Sequence, residues 1–137
     1  MRGRFIVVEG IDGSGKSTMA SRLAGELRAR GRNVLRTREP GGTLIGEKVR
    51  TLLLDAENAA MVPYAELFLY MASRAQLVDE VIRPALAKGT DVLCDRYYYS
   101  TAAYQGAAGK VGIRTVIDVA EKIAIEDRNL ATEPAHE

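Results

Sequence analysis

The most specific chemistry in this sequence lies near the amino terminus. Gly10-Ile11-Asp12-Gly13-Ser14-Gly15-Lys16-Ser17, followed by Thr18, satisfies the pattern G-x-x-x-x-G-K-[ST] in full. Glycines at these places let the backbone wind so that successive N–H groups point inward. The helix that follows adds partial positive charge where polyphosphate oxygens would rest. Lys16 then bridges the outer phosphates, and the Ser17 hydroxyl can ligate Mg²⁺. The loop therefore implies ATP or GTP as a ligand. It does not choose the acceptor, because motors, GTPases and small-molecule kinases share it.

Four arginines could make that choice. Arg38, Arg50, Arg74 and Arg96 stand at expected loop and strand ends, where they could converge above the C-terminal edge of a parallel sheet, the ligand crevice of such architectures. Taken singly, each reads equally well as a solvated surface charge. Arg96 carries most weight, since it follows a buried apolar run and the adjoining Asp95 could hold a magnesium shell through water. Nothing resembling N-K-x-D, the base-reading motif of a GTPase, occurs. A small-molecule kinase fits better.

The elements that must position these groups follow from periodicity. Phe5 to Val8 is a short β-branched run, expected of a strand buried on both faces. From Ser17, Met19, Leu23 and Leu27 recur at helical spacing until Gly31 supplies a stop. Asn33 to Thr37 is a second strand ending at Arg38-Glu39, and Pro40-Gly41-Gly42 turns the chain into a loop. Leu44 to Leu54 reads as a helix. Pro63 opens a longer one through Leu67, Tyr70, Arg74 and Val78, and a separate piece runs from Glu80 to Lys88 before Gly89. Val92-Leu93-Cys94 is a third buried strand, closed by Asp95-Arg96. Beyond a glycine- and alanine-rich stretch from Gly106 to Gly112, Ile113, Val116, Ile117, Ala120, Ile123 and Ala124 trace a last helix, and the tail from Asp127 is polar. Strand, helix, strand, helices, strand predicts a parallel α/β sheet.

Composition narrows the partners. Nineteen basic against 18 acidic residues give a net charge of +1, so no global field draws the protein to nucleic acid or an anionic membrane. At 137 residues and 47% hydrophobic, residues 1–137 are expected to form one domain. Cys94, the lone cysteine, cannot form an internal disulfide and reads as a small buried thiol. Phe5 to Val8 is too short for a signal sequence or a membrane span, so a cytoplasmic location is expected.

Four stretches together resemble bacterial-type thymidylate kinase: Glu9 through Ser17; Thr37-Arg38-Glu39-Pro40-Gly41-Gly42-Thr43; Arg74 with Gln76-Leu77-Val78; and Asp95-Arg96 followed by Ser100-Thr101-Ala102-Ala103-Tyr104-Gln105-Gly106. The resemblance extends from Phe5 to about Ile125. It implies a P-loop NTPase fold, a parallel sheet flanked by helices in three α/β/α layers, and transfer of the γ-phosphoryl group of ATP to thymidylate with Mg²⁺. On the matching positions, Asp12 would orient the acceptor sugar and phosphate, Arg96 would clamp the acceptor phosphate, and Arg38 would approach the same group. Arg74, Thr101 and Gln105 would read the pyrimidine edge with Arg50 close by. Tyr104 would crowd the sugar C2′.

Two departures stand out. Four residues before Arg74 the family carries phenylalanine, and this chain has Tyr70, which keeps a π face for base stacking. Gly13 occupies the place where one branch of the family has an arginine, so a lid arginine is expected instead. The ending Leu130 to Glu137 does not match the family's continuation into that lid and a last strand, so the resemblance implies a C-terminally truncated domain. It further implies a homodimer. Two other readings stay open: a related nucleoside or nucleotide kinase, and a catalytically silent nucleotide-binding or dimerisation module.

Overall fold

The computed structural model describes residues 2–10 and 16–97. Along the chain come β1 (Phe5–Gly10), α1 (Lys16–Ala29), β2 (Val34–Glu39), α2 (Leu44–Leu54), a 3₁₀ turn (Ala56–Asn58), α3 (Pro63–Leu77), a π-helical turn (Val78–Ile82), α4 (Arg83–Ala87) and β3 (Asp91–Tyr97). The three strands form one parallel sheet in the order β1-β3-β2. β3 is thus central, and Val92, Leu93 and Cys94 are fully buried, as a strand covered on both faces requires.

Side chains alternate across the sheet and divide the core in two. Leu93 packs with Ala20 and Ala24 of α1, joined by Ile6, Val8, Leu23 and Val34. Val92 and Cys94 face the other way, toward Leu77, Val78, Ile82 and Leu86, with Phe5, Val7 and Leu35 alongside. Helices therefore cover both faces, giving the expected three layers. Cys94 is a free, buried thiol, also as expected.

Local signals explain most boundaries. α1 stops where Gly31 takes φ +83°, with the Arg32 N–H donating to the Leu27 carbonyl at 3.1 Å, a left-handed cap that glycine adopts without a Cβ clash. The Thr43 hydroxyl accepts the Gly46 N–H at 2.8 Å and starts α2. Pro63 occupies the first turn of α3.

Two expectations on extent are corrected. The pieces predicted as separate, Pro63 to Val78 and Glu80 to Lys88, are continuous through the π-helical turn. Pro84 has no N–H to donate one turn back, and a widened turn just before it carries the chain on without a break. Asp95 and Arg96, expected to follow the third strand, lie inside it. The ladder continues because both neighbours run alongside: Val8 and Arg38 flank Asp95, and Glu9 and Glu39 flank Arg96. The predicted last helix and polar tail lie outside the described residues.

The opposite edge of the sheet is fastened by Asp91, which is fully buried. Its carboxylate accepts the Arg4 N–H at 2.7 Å and both Nε and Nη2 of Arg32 at 2.6 Å.

Candidate functional site

Because the three described strands are parallel, their carboxyl ends share one edge. β1 ends there at Gly10, so the glycine-rich loop departs one strand over from Arg96, with about 4.8 Å between neighbouring strands. Ile11, Asp12, Gly13, Ser14 and Gly15 lie outside the described residues, as do Thr101, Tyr104 and Gln105. Lys16, Ser17 and Thr18 open α1.

Alternation assigns the edge residues to opposite sides. Asp95 is on the α1 side, and Arg96 and Glu39 are on the α3 side. Glu39 gathers the site there. It ends β2, pairs in register with Arg96 and is 5% exposed. Arg74 reaches it from α3, donating from Nε to Oε1 at 2.7 Å. Arg96 reaches it from β3, donating to Oε2 from Nε at 2.9 Å and Nη2 at 2.8 Å. Burial pushes the Glu39 carboxyl up, but the charges and hydrogen bonds of the two guanidiniums override it and hold it below the usual carboxylate value. Burial, reinforced by Glu39, pushes the neighbouring Cys94 thiol well above its ordinary range, which makes it an inert donor to Glu39 at 3.6 Å.

The loop after Glu39 is fixed by three further contacts. The Gly41 N–H donates to the Ser73 hydroxyl at 3.0 Å, the Gly42 N–H to Glu47 at 2.8 Å, and Arg50 Nη1 to the Pro40 carbonyl at 3.0 Å. The Glu39–Pro40 peptide is cis. Gly42 has φ +82°, and a Cβ there would meet the Thr37 hydroxyl and lie 2.6 Å from a Leu77 methyl. Gly42→Ala is accordingly expected to cost about 2 kcal/mol, from left-handed strain and overlap together. A drop in the urea midpoint at unchanged m-value would show it.

Of the predicted arginines, the structure brings Arg74 and Arg96 together. Arg38 does not meet them at Glu39. It shares the other sheet face with Arg36 and pairs with Glu47 of α2, Nε at 3.2 Å from Oε2. Arg50 supports the loop from α2. Tyr70 lies one helical turn before Arg74, on the same side of α3, and is buried. The residues missed from sequence are Glu39, Ser73 and Glu47. Glu39 could have been found as a carboxylate at a strand end with arginines expected around it.

On the α1 side, Arg36 links Asp95 Oδ2 (3.4 Å) to Ser21 of α1 (3.0 Å). Asp95 Oδ1 is buried without a hydrogen-bond partner among the described residues. An open cleft of about 360 Å³ is lined by Arg36, Thr37, Arg38, Gly42, Glu47 and Asp95. A larger depression of about 700 Å³, lined by Arg28, Arg32 and Thr90 among others, lies at the amino ends of the strands. Ligands of open parallel sheets bind at the carboxyl ends, the end at which the smaller cleft opens, on the side that carries Asp95. No group of three or more His, Cys, Asp or Glu side chains able to hold a metal occurs among the described residues.

Residues 8–129 match the family model described as thymidylate kinase. This chain belongs to the thymidylate kinase family. It is 47% identical to the thymidylate kinase of Thermosipho africanus, over 92% of this chain and 73% of that protein. It is 58% identical to that of Geobacter sulfurreducens, over 76% of this chain and 49% of that protein. The chain thus spans about half the length of several thymidylate kinases that it matches, and about three quarters of another. A solved thymidylate kinase from Ehrlichia chaffeensis superposes with a TM-score of 0.73 at 38% identity, covering 90% of this chain and 69% of the other. Among the described residues, no helix is long and apolar enough to cross a membrane.

Proposed function

We propose that the protein is an ATP-dependent nucleoside-monophosphate kinase acting on thymidylate in the cytoplasm, with Arg74 and Arg96 on the acceptor side of the sheet edge and Lys16 on the donor side. One observation carries this reading: arginines from α3 and β3 meet at Glu39 beside the start of the phosphate loop, on the sheet face opposite α1. An acceptor phosphate is already ionised near neutral pH, so no strong general base is needed. The obstacle is bringing two anions together. Arg96 would neutralise the acceptor phosphate and Lys16 the outer donor phosphates, and a largely buried, fixed charge such as that of Arg96 is more effective than one in water.

Magnesium fits the residues present. Asp95 faces the α1 side with one buried carboxylate oxygen that has no partner among the described residues, and Ser17 lies in the first turn of α1; one or two protein oxygens suffice for a cation that keeps its waters and phosphate ligands. Those two residues would hold it, and when bound it would offset charge on the phosphate oxygens.

Calorimetric titration of the chain tests the assignment, with deoxyuridylate, the ribonucleotide of thymine and adenylate as controls. Thymidylate should bind selectively, and Arg74→Ala should lose that preference. Equal binding of all four nucleotides by the folded chain would sink the acceptor assignment.

A homodimer formed through α2 and α3 is part of the same reading. Leu44, Ile45, Leu52, Val62, Tyr64 and Phe68 are exposed there, and Tyr64 stacks on Phe68 with ring centroids 6.0 Å apart. Sedimentation equilibrium should give twice the chain mass, and Phe68→Glu should halve it. A monomeric wild type would refute the dimer.

A further inference from the structure

We propose that Glu39 is a positioning residue for the acceptor site, setting the separation and direction of the Arg74 and Arg96 guanidiniums before any nucleotide arrives. The inference deepens the reading above and rests on the acceptor role given there to the two arginines.

Arg74 and Arg96 come from different elements, and each has a long side chain that would sample many rotamers if left alone. Two guanidiniums side by side also repel one another. Glu39 answers both problems. Arg74 donates from Nε to Oε1 at 2.7 Å and reaches Oε2 from Nη2 at 3.5 Å, while Arg96 sits on Oε2, so a single carboxylate sets the gap between the cations. Arg96 places both Nε and Nη2 on the same oxygen, which sets the plane of its guanidinium as well as its position.

Glu39 is itself held firmly. Its backbone pairs with Arg96 across the sheet, and the Cys94 thiol donates to Oε2. Behind it, the Gly41 N–H is tied to Ser73, the residue preceding Arg74 on α3. The loop that carries the carboxylate and the helix that carries one of its arginines are therefore locked to each other. Such an arrangement orders the two acceptor cations, and the contacts of Glu39 given above come from α3, β3 and the Cys94 thiol.

The test is calorimetry on the full chain with two probes, thymidylate and a non-hydrolysable ATP analogue. The proteins are the wild type, Glu39→Gln, Arg96→Ala and the double variant. Glu39→Gln keeps the size of the side chain and removes its charge. It is expected to weaken thymidylate about 10- to 100-fold, the usual range when a supporting group behind a ligand-binding side chain is lost. Binding of the ATP analogue should stay within about twofold, and Glu39→Gln should add little once Arg96 is already alanine, because the two substitutions remove one shared arrangement. Circular dichroism checks folding; if Glu39→Gln does not fold, Glu39→Asp, which keeps the charge and draws it back by one methylene, carries the same comparison.

Unchanged thymidylate binding in the folded variant would overturn the inference alone. Parallel losses for both probes, or full additivity in the double variant, would reduce Glu39 to a structural ion pair and overturn it too. A wild type that shows no preference for thymidylate would overturn the proposed function, and the inference with it.

Discussion

Replacing Arg96 by alanine is expected to lower kcat/KM for phosphoryl transfer to thymidylate by about 10³-fold, equivalent to about 4 kcal/mol of transition-state stabilisation. The size follows from where the residue stands. Arg96 projects from the central strand at the carboxyl edge of the sheet, is 19% exposed, and is oriented by two hydrogen bonds to a buried carboxylate. A cation fixed in that way stabilises developing charge without having to reorganise, which is the condition under which one donor matters most. Lysine should not rescue it, since a point charge cannot reproduce the planar double contact to Glu39. The cost to folding should be smaller, about 1–2 kcal/mol, because Glu39 keeps Arg74 as a partner. Steady-state kinetics beside a melting curve would separate the two effects. A loss in kcat/KM under tenfold with an unchanged melting temperature would remove Arg96 from the acceptor site.

The largest effect on stability is expected at the opposite edge of the sheet, from Asp91→Ala. It should cost about 3 kcal/mol and lower the melting temperature by about 10 °C, at the low end of what breaking a buried ion pair does. The reason is coordination. Asp91 is fully buried and receives the Arg4 N–H and two donors of Arg32, joining the chain start and the α1–β2 turn to the foot of β3. Arg32 is 20% exposed and can turn partly to water when its partner is lost, which limits the penalty. Burial pushes the Asp91 carboxyl up, while the Arg32 hydrogen bonds, the Arg4 N–H and the charge of Arg32 outweigh it, so the folded-state value lies below the ordinary one. A carboxyl depressed on folding contributes stability that is complete above its unfolded pKa, about 3.9, and is lost as pH falls through the lower folded value. The gap in melting temperature between wild type and Asp91→Ala should therefore be widest near neutral pH and narrow below about pH 4. A gap that does not change with pH would show that lost packing, not the ion pair, causes the destabilisation.

The phosphate-loop pattern, the strand–helix order, the parallel sheet and the family were legible in the residues alone. These are local signals. Gly10 to Ser17 are contiguous, the apolar runs Phe5–Val8 and Val92–Cys94 are short and β-branched or aliphatic, and Gly31, Thr43 and Pro63 mark helix ends by their own backbone preferences. That Arg96 would stand at the carboxyl edge also followed from its strand, whereas the expected convergence of all four arginines held only for Arg74, on α3, and Arg96.

Tertiary structure decided how far β3 runs, and with that, which way its last residues point. Asp95 and Arg96 stay in the strand because β1 and β2 extend beside them, and alternation then puts the aspartate on the α1 side and the arginine on the α3 side. Register is set by two neighbouring strands remote in sequence, so no window around Asp95 contains it. The same holds for Glu39, whose two arginines come from α3 and β3, and for Arg38, which the alternation of β2 turns away from them toward Glu47. Residue type and spacing name the charges available to the site; only the packed sheet fixes which of them face one another, because that depends on side-chain direction across a ladder of non-local hydrogen bonds.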